Sequence, residues 1–374
     1  MLSYWEKTSF ANTAHLIVGG GLTGLFTAYF LRKKFPKDKI LIVEKSYFSS
    51  AASSRNAGFA CMGSVSELLD NLQNEQEKDV VALYQDRKIG LELMREILGD
   101  DEIGYQENGS YEWVGENEIN VLDKISYLNE LLFPIIKKNS FEIANERIKD
   151  FGFSSSCFSL IKNNNEGELN TGKLLIALRK KIQELNIEIA YGCSVKDFNA
   201  TQNNVTVLMK DHFNTFEIKC KNLLICTNAF SKKLLPNIDL KPGRGQVLIT
   251  KLIENLNIKG IFHMDKGYFY FRELDGRILF GGGRNLDFTT EETDEFSENE
   301  KIIKQLKLKL NEDILPNTPF EIDYSWSGIM AFGESKKPLI EKIEPHVYAA
   351  IRCGGMGVAL SSLNAKKMVD LITD

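Results

Sequence analysis

His15-Leu16-Ile17-Val18-Gly19-Gly20-Gly21-Leu22-Thr23-Gly24 is the stretch on which the fold turns. A short apolar run ends in a glycine triplet, after which Leu22, Leu25, Phe26, Tyr29 and Phe30 recur at helical spacing. The segment reads as strand, tight turn, helix. Pro36 and Lys37 stop the helix, and Ile40 to Val43 forms a second buried strand that closes at Glu44, with Lys45 just beyond. Gly19-x-Gly21-x-x-Gly24 followed by an acidic residue at the end of the next strand is the pattern of a dinucleotide-binding βαβ unit. Gly19 permits the tight turn, Gly21 lets backbone approach a pyrophosphate, and Gly24 lets helix and strand pack closely. Leu22 and Thr23 open the helix, whose first amides and positive dipole end suit phosphate, and Glu44 suits a ribose diol. The fingerprint alone does not separate flavin from nicotinamide.

Outward from this unit, the chain has 374 residues, enough for about two domains. Its 43% hydrophobic and 26% charged residues are those of a folded globular protein, which excludes disorder and a multi-span membrane protein. Forty-six basic against 51 acidic residues leave a net charge of −5, so nothing favours phosphate backbones or anionic lipid, and no nucleic-acid partner is expected. The six cysteines show no paired short spacing, which argues against a metal site and for reduced thiols in the cytoplasm. Thr8 to Leu31 lacks Asp, Glu, Lys and Arg, but three central glycines are costly in a lipid-facing helix, so no membrane insertion is expected.

Val65 to Leu98 reads as mainly helical, Ile103 to Val114 as a hairpin about Asn108-Gly109, and Leu122 to Ile136 as helix. Thr171 to Leu185 is a further helix. Ile187–Tyr191, Val195–Phe198, Val205–Met209, Phe216–Ile218, Leu223–Cys226, Val247–Thr250, Tyr268–Phe271 and Ile278–Phe280 read as strands. Thr289 to Asn311 reads as an acidic, helical, solvated insertion, and Val358 to Ile372 as a closing helix behind Gly354, Gly355 and Gly357.

Along most of its length the chain resembles the FAD-dependent amine and amino-acid oxidoreductases, the family of D-amino-acid oxidase, glycine oxidase, sarcosine oxidase and γ-glutamylputrescine oxidase-like proteins. The resemblance rests on the fingerprint and Glu44, on Ser53-Ser54-Arg55-Asn56-Ala57-Gly58, on Gly167-Glu168-Leu169-Asn170 and on Leu223 to Ala229. Gly243-Arg244-Gly245-Gln246, Tyr268 to Arg272, Gly281-Gly282-Gly283, Trp326-Ser327-Gly328 and Gly354-Gly355-Met356-Gly357 follow in the family's order. The resemblance implies an α/β fold: a Rossmann-like FAD-binding domain from 1–98, 159–242 and 331–374, with an inserted mixed-sheet α+β substrate domain from 99–158 and 243–330. It also implies that Ser53, Ser54, Asn56 and Gly58 pass beside the flavin. Val195 would touch its adenine side, Thr227 and Gly328 would lie at the cofactor, and Gly355, Met356 and Gly357 would face its pyrimidine end.

The implied activity is oxidation of a small-molecule amine or amino acid by hydride transfer to FAD, with oxygen or another carrier taking the electrons. The alternatives are a flavin-binding protein that does not turn over and a tRNA wobble-uridine modification flavoprotein. Members of the family that attach FAD covalently use a cysteine or histidine; here no cysteine lies between Cys226 and Cys353 and no histidine near 53–58, so the resemblance implies a noncovalent FAD. Leu279 stands where oxygen-activating relatives carry lysine. Met330 stands where glycine oxidase-like members carry an arginine for the substrate carboxylate, so an amine without that group is expected to be preferred, unless Arg55, Arg272 or Lys266 replaces the charge. His263, Tyr268, Tyr270, Arg272 and Met330 are the candidate substrate-side residues; Tyr268 and Tyr270 share one face of the expected strand.

Overall fold

The computed structural model describes residues 3–48 and 51–373. His15–Val18 lies inside a six-stranded sheet, paired in parallel with Ile40–Glu44 on one side and Asn222–Ile225 on the other. Glu188–Tyr191 continues one flank in parallel. On the other, Val347–Ile351 adds in parallel and Leu339–Glu344 antiparallel. Both faces of this sheet are covered at its centre, which is why its four inner strands are nearly continuous buried runs rather than alternating ones, while the flanking Glu188–Tyr191 and Leu339–Glu344 are more polar and exposed. Ile17, Ile40, Ile42 and Leu224 pack against the helices Leu22–Lys34, Thr171–Glu184 and Gly357–Asp370. Leu16, Val18, Leu41 and Val43 pack against an antiparallel meander, Ser194–Ala200, Val205–Lys210 and Thr215–Cys220.

The second layer is an eight-stranded sheet in the order Ile322–Phe332, Lys241–Thr250, Arg277–Gly282, Phe269–Leu274, Ile261–Met264, Ser110–Val114, Ser159–Asn163, Phe141–Ile143. It is antiparallel except where Ile261–Met264 meets Ser110–Val114. One face carries Phe262, Phe269, Phe271 and Phe280, with Phe262 and Phe271 stacked at 4.5 Å, and buries them under Ile302, Leu306 and Leu310 of the Glu300–Lys309 helix and the turn that follows. The opposite face, with His263, Tyr270 and Met330, is aimed at the first layer.

Several expectations are corrected. Asn108-Gly109 makes no hairpin: Asp100–Ile103 is helical, and Ser110–Val114 pairs with Ser159–Asn163 and Ile261–Met264. Ser159–Asn163 belongs to the second sheet, so the boundary at 158/159 parts a whole strand from its sheet, and the boundary at 330/331 falls inside the strand Ile322–Phe332. Val65 to Leu98 is two helices, Val65–Asn74 and Glu77–Leu98. Thr289 to Asn311 is not simply solvated. Glu291 is fully buried in an ion pair with Arg244 at 2.7 Å, and the helix behind it is core. Among the described residues no helix is long and apolar enough to cross a membrane.

Candidate active site

A cavity of about 720 Å³ runs from the glycine turn to the second sheet. At its first end Gly19 has φ +106°, open to glycine at little cost, and a Cβ on Gly24 would overlap the Gly19 carbonyl oxygen. The turn therefore brings the start of the Leu22–Lys34 helix against the strand, with its first-turn amides toward the cavity. Glu44 is fixed by two backbone donors, Gly20 N–H to Oε2 and Ser46 N–H to Oε1, both 2.8 Å. Ser53 Oγ accepts from Leu22 N–H at 3.0 Å and ties the 51–56 turn to the helix. Asn56 holds that turn from within: Nδ2 donates to Ala52 and Ser53 carbonyls at 3.1 Å, and Oδ1 accepts from Gly58 N–H and Thr171 Oγ1 at 2.8 Å.

Lys45, Val195 and Thr227 line the same end, and Gly355, Met356 and Gly357 bring the start of the closing helix to the wall. Gly245 and Gly328 face each other across a strand pair and leave a side-chain-free floor beside Arg55. This donor set, two helix starts, an oriented carboxylate and glycine surfaces, fits a flavin dinucleotide.

Three cofactor candidates support the wall without lining it. Gly24 packs helix on strand, Ser54 Oγ donates to Ala51 O at 3.2 Å, and Gly58 lies against Leu169.

At the other end, Phe59, Tyr270 and His263 meet edge to face at 5.3–5.7 Å. Burial holds His263 neutral, its pKa pushed down to about 4, and Nε2 has no partner among the described residues. Burial pushes the Tyr270 phenol up to about 12. Tyr268 and Tyr270 both line the cavity, Tyr268 from the turn just before the strand and 38% exposed, while Phe269 and Phe271 between and beyond them are core. Met330 lines the wall with Sδ near Gly355.

Arg272 is misplaced by the sequence reading. It is buried outside the cavity, its Nη1 donating to the carbonyls of Leu169 at 2.9 Å, Gly58 at 3.3 Å and Ala57 at 3.4 Å. It clamps the 57–58 turn. The two other cations proposed to stand in for the residue at 330 are also engaged: Arg55 donates to Ser327 O at 2.8 Å, and Lys266 pairs with Asp70 at 3.0 Å.

Sequence reasoning missed Glu67, Arg87, Arg284 and Phe296, all in the wall. Arg87 and Glu67 pair at 3.0 Å; burial alone would raise the Glu67 carboxyl, yet Arg87 and Lys336 hold it below its ordinary value. Phe296 stacks under the Arg55 guanidinium at 4.6 Å. Arg284 had one visible signal, its place directly after the glycine triplet that ends a strand.

A fold of two such layers with a dinucleotide cradle between them defines a flavin-type oxidoreductase. The chain matches the family DAO, FAD dependent oxidoreductase, over residues 15–371, and belongs to it. FAD is accordingly its cofactor. It is 21% identical over 378 residues to Gamma-glutamylputrescine oxidoreductase of Escherichia coli, covering 95% of this chain and 82% of that one. Probable oxidoreductase OrdL of Haemophilus influenzae is 22% identical over 375 residues, with the same coverage. Among solved structures, L-proline dehydrogenase from P.horikoshii superposes with a TM-score of 0.78 at 18% identity, covering 97% of this chain and 93% of that one. Glycine oxidase from Geobacillus kaustophilus gives 0.77 at 20% identity, covering 96% and 94%.

Proposed function

We propose that this chain oxidises a small amine or amino acid at the C–H bond beside nitrogen, leaving an imine that water hydrolyses to a carbonyl compound and a free amine or ammonia. The supporting observation is the continuity of one cavity from the dinucleotide cradle to a wall of Phe59, Tyr270, Met330 and His263. Bound FAD supplies the two-electron acceptor. The protein's part is to hold the substrate carbon against it, to exclude water with the aromatic wall, and to offer hydrogen bonds without charge. His263 and Tyr270 meet that last requirement, since both are neutral near pH 7. Three of the relatives named above carry an amine or amino acid in their names, gamma-glutamylputrescine, L-proline and glycine, which favours a substrate of that kind here.

The FAD is held noncovalently on this reading. Four cysteines line the cavity, and burial pushes the thiols of Cys193 and Cys353 to about 11 and Cys226 to about 12, and holds the Cys61 thiol well above its ordinary value. A thiolate able to attack the flavin ring is therefore scarce. Six buried free cysteines fit a reducing compartment, the cytoplasm. Oxygen or a protein or quinone carrier takes the electrons. The test is product analysis with an amine panel and either oxygen or a dye acceptor: carbonyl product should equal acceptor reduced, two electrons each, and carbonyl-free incubations throughout would refute the reading.

A further inference from the structure

Met330 takes away one cation from the cavity wall, and the strand pairing shows what stands beside it. Gly243 lies directly opposite Met330 across the Lys241–Thr250 and Ile322–Phe332 pair, so the two positions share a face with β-carbon sites about 5 Å apart. Gly243 has no side chain there, and the space is filled from elsewhere. A Cβ on it would stand 2.9 Å from the guanidinium carbon of Arg284 and 2.5 Å from the Phe332 ring. Arg284 thus lays its charge next to the point where Met330 leaves the strand.

Its surroundings hold the group without using it. Phe332 and Phe288 flank the guanidinium at 4.2 and 5.1 Å, which fixes its plane and leaves its N–H edge for other partners. Among the described residues it makes no hydrogen bond and no ion pair, and its Nε is buried with no partner. The nearby carboxylates are taken: Glu291 by Arg244 at 2.7 Å and Glu292 by Lys241 at 3.5 Å. The other cavity arginines differ. Arg55 and Arg87 bond to backbone or to a carboxylate, and Arg352 bonds to Asp239. A half-buried guanidinium left unpaired in a ligand cavity carries a desolvation cost that an anion would offset, and its planar fork matches a carboxylate.

The geometry points to Arg284 as the residue that binds a carboxylate of the substrate, entering from the neighbouring strand end in place of a cation at position 330. The substrate is then an amine that carries a carboxylate, and Met330 no longer implies a carboxylate-free one. This rests on the amine-oxidation reading for what the ligand is, but not for whether Arg284 binds an anion.

The experiment is a titration of acetate, propionate and benzoate into the FAD-loaded protein, following the visible flavin band. A saturable perturbation is expected, weakened about ten- to a hundredfold in Arg284→Gln and in Gly243→Ala, whose new methyl displaces the guanidinium, and partly kept in Arg284→Lys. Arg277→Gln, which removes a pair with Asp323 and a bond to the Thr250 carbonyl outside the cavity lining, serves as the control and should bind like the native protein. Flavin content and thermal midpoint establish that each variant is folded and loaded. The same proteins are then reduced anaerobically by 4-aminobutyrate and n-propylamine, and by glycine and methylamine. The ratio of rates within the better pair should fall toward the carboxylate-free amine in Arg284→Gln. No carboxylate perturbing the band, or Arg284→Gln binding as tightly as the native protein, overturns the assignment. If carboxylates bind through Arg284 but no amine reduces the flavin, the anion site stands and the amine-oxidation reading falls. If amines reduce it but carboxylates do not bind, only the Arg284 assignment falls.

Discussion

The two ends of the cavity are built by different means. At the dinucleotide end the work is done by backbone: a glycine turn, two helix starts and a carboxylate held by two amides, nearly all from residues 15–58 and 355–357. At the substrate end it is done by side chains carried on separate elements. His263, Tyr270, Met330, Arg284, Glu67 and Arg87 come from four strand or turn positions and two helices, tens to hundreds of residues apart. Backbone cradles tolerate no side chain, whereas a side-chain wall can exchange one residue for another from a neighbouring strand. The first end should therefore fail outright when perturbed and the second should change its preference.

The largest effect is expected at the cradle. Gly21→Val should abolish flavin binding, because a branched side chain would meet Ser53 Oγ, 2.8 Å from the first Cβ position, and fill the pyrophosphate approach. Flavin content after purification reads this directly, and a full yellow complement in the variant would place the cofactor elsewhere. The native protein, denatured by acid or heat, should release all its flavin as intact FAD; flavin that stays with the polypeptide would show a covalent bond.

Arg272 sharpens the contrast from the other side, since it holds the cradle's flank rather than the substrate. Arg272→Met removes the guanidinium bonds to the Leu169, Gly58 and Ala57 carbonyls, of which Gly58 O keeps the Leu169 N–H, and should cost about 2–3 kcal/mol of stability, read from the denaturant midpoint. A stable variant with altered substrate preference would instead return Arg272 to the substrate site.

How much of this was legible follows from the same division. The His15–Glu44 unit could be read because a glycine turn, a helix period and an acidic strand end are contiguous, and each is a local rule. Arg272 could not be placed, because its role depends on the carbonyls of residues 57, 58 and 169, which meet it only in three dimensions. Asn108-Gly109 misled for a related reason. Its turn-forming residues are real, with Gly109 at φ +87°, but the strand after it finds parallel and antiparallel partners far along the chain instead of its neighbour. Phe296 hid in an acidic stretch whose charges suggested solvent, although Arg244 buries Glu291 there and draws the segment over the cavity.

The smallest expected effect is a pH dependence from Glu166, a carboxyl buried outside the cavity lining. Glu166 accepts from Met62 and Gly63 N–H and from Ser110, and its carboxyl is pushed up to about 7 by burial. The folded state thus holds a proton that the unfolded state releases near the ordinary value of 4.5, and stability from this group is lost as pH rises from about 4.5 to 7. Glu166→Gln removes that loss, so its thermal midpoint should climb relative to the native protein's over that interval and run parallel to it above. A difference that shrinks with rising pH would contradict the burial argument.

The central claim, that the two ends act together on a C–N bond, is tested most directly by anaerobic mixing of the FAD-loaded protein with a panel of amines and amino acids, recording flavin absorbance. The account predicts saturable bleaching of the visible band by at least one member, faster for a carboxylate-bearing amine than for its carboxylate-free counterpart. A band that dithionite bleaches but no amine or amino acid does would contradict it and leave a flavin-binding protein without this chemistry.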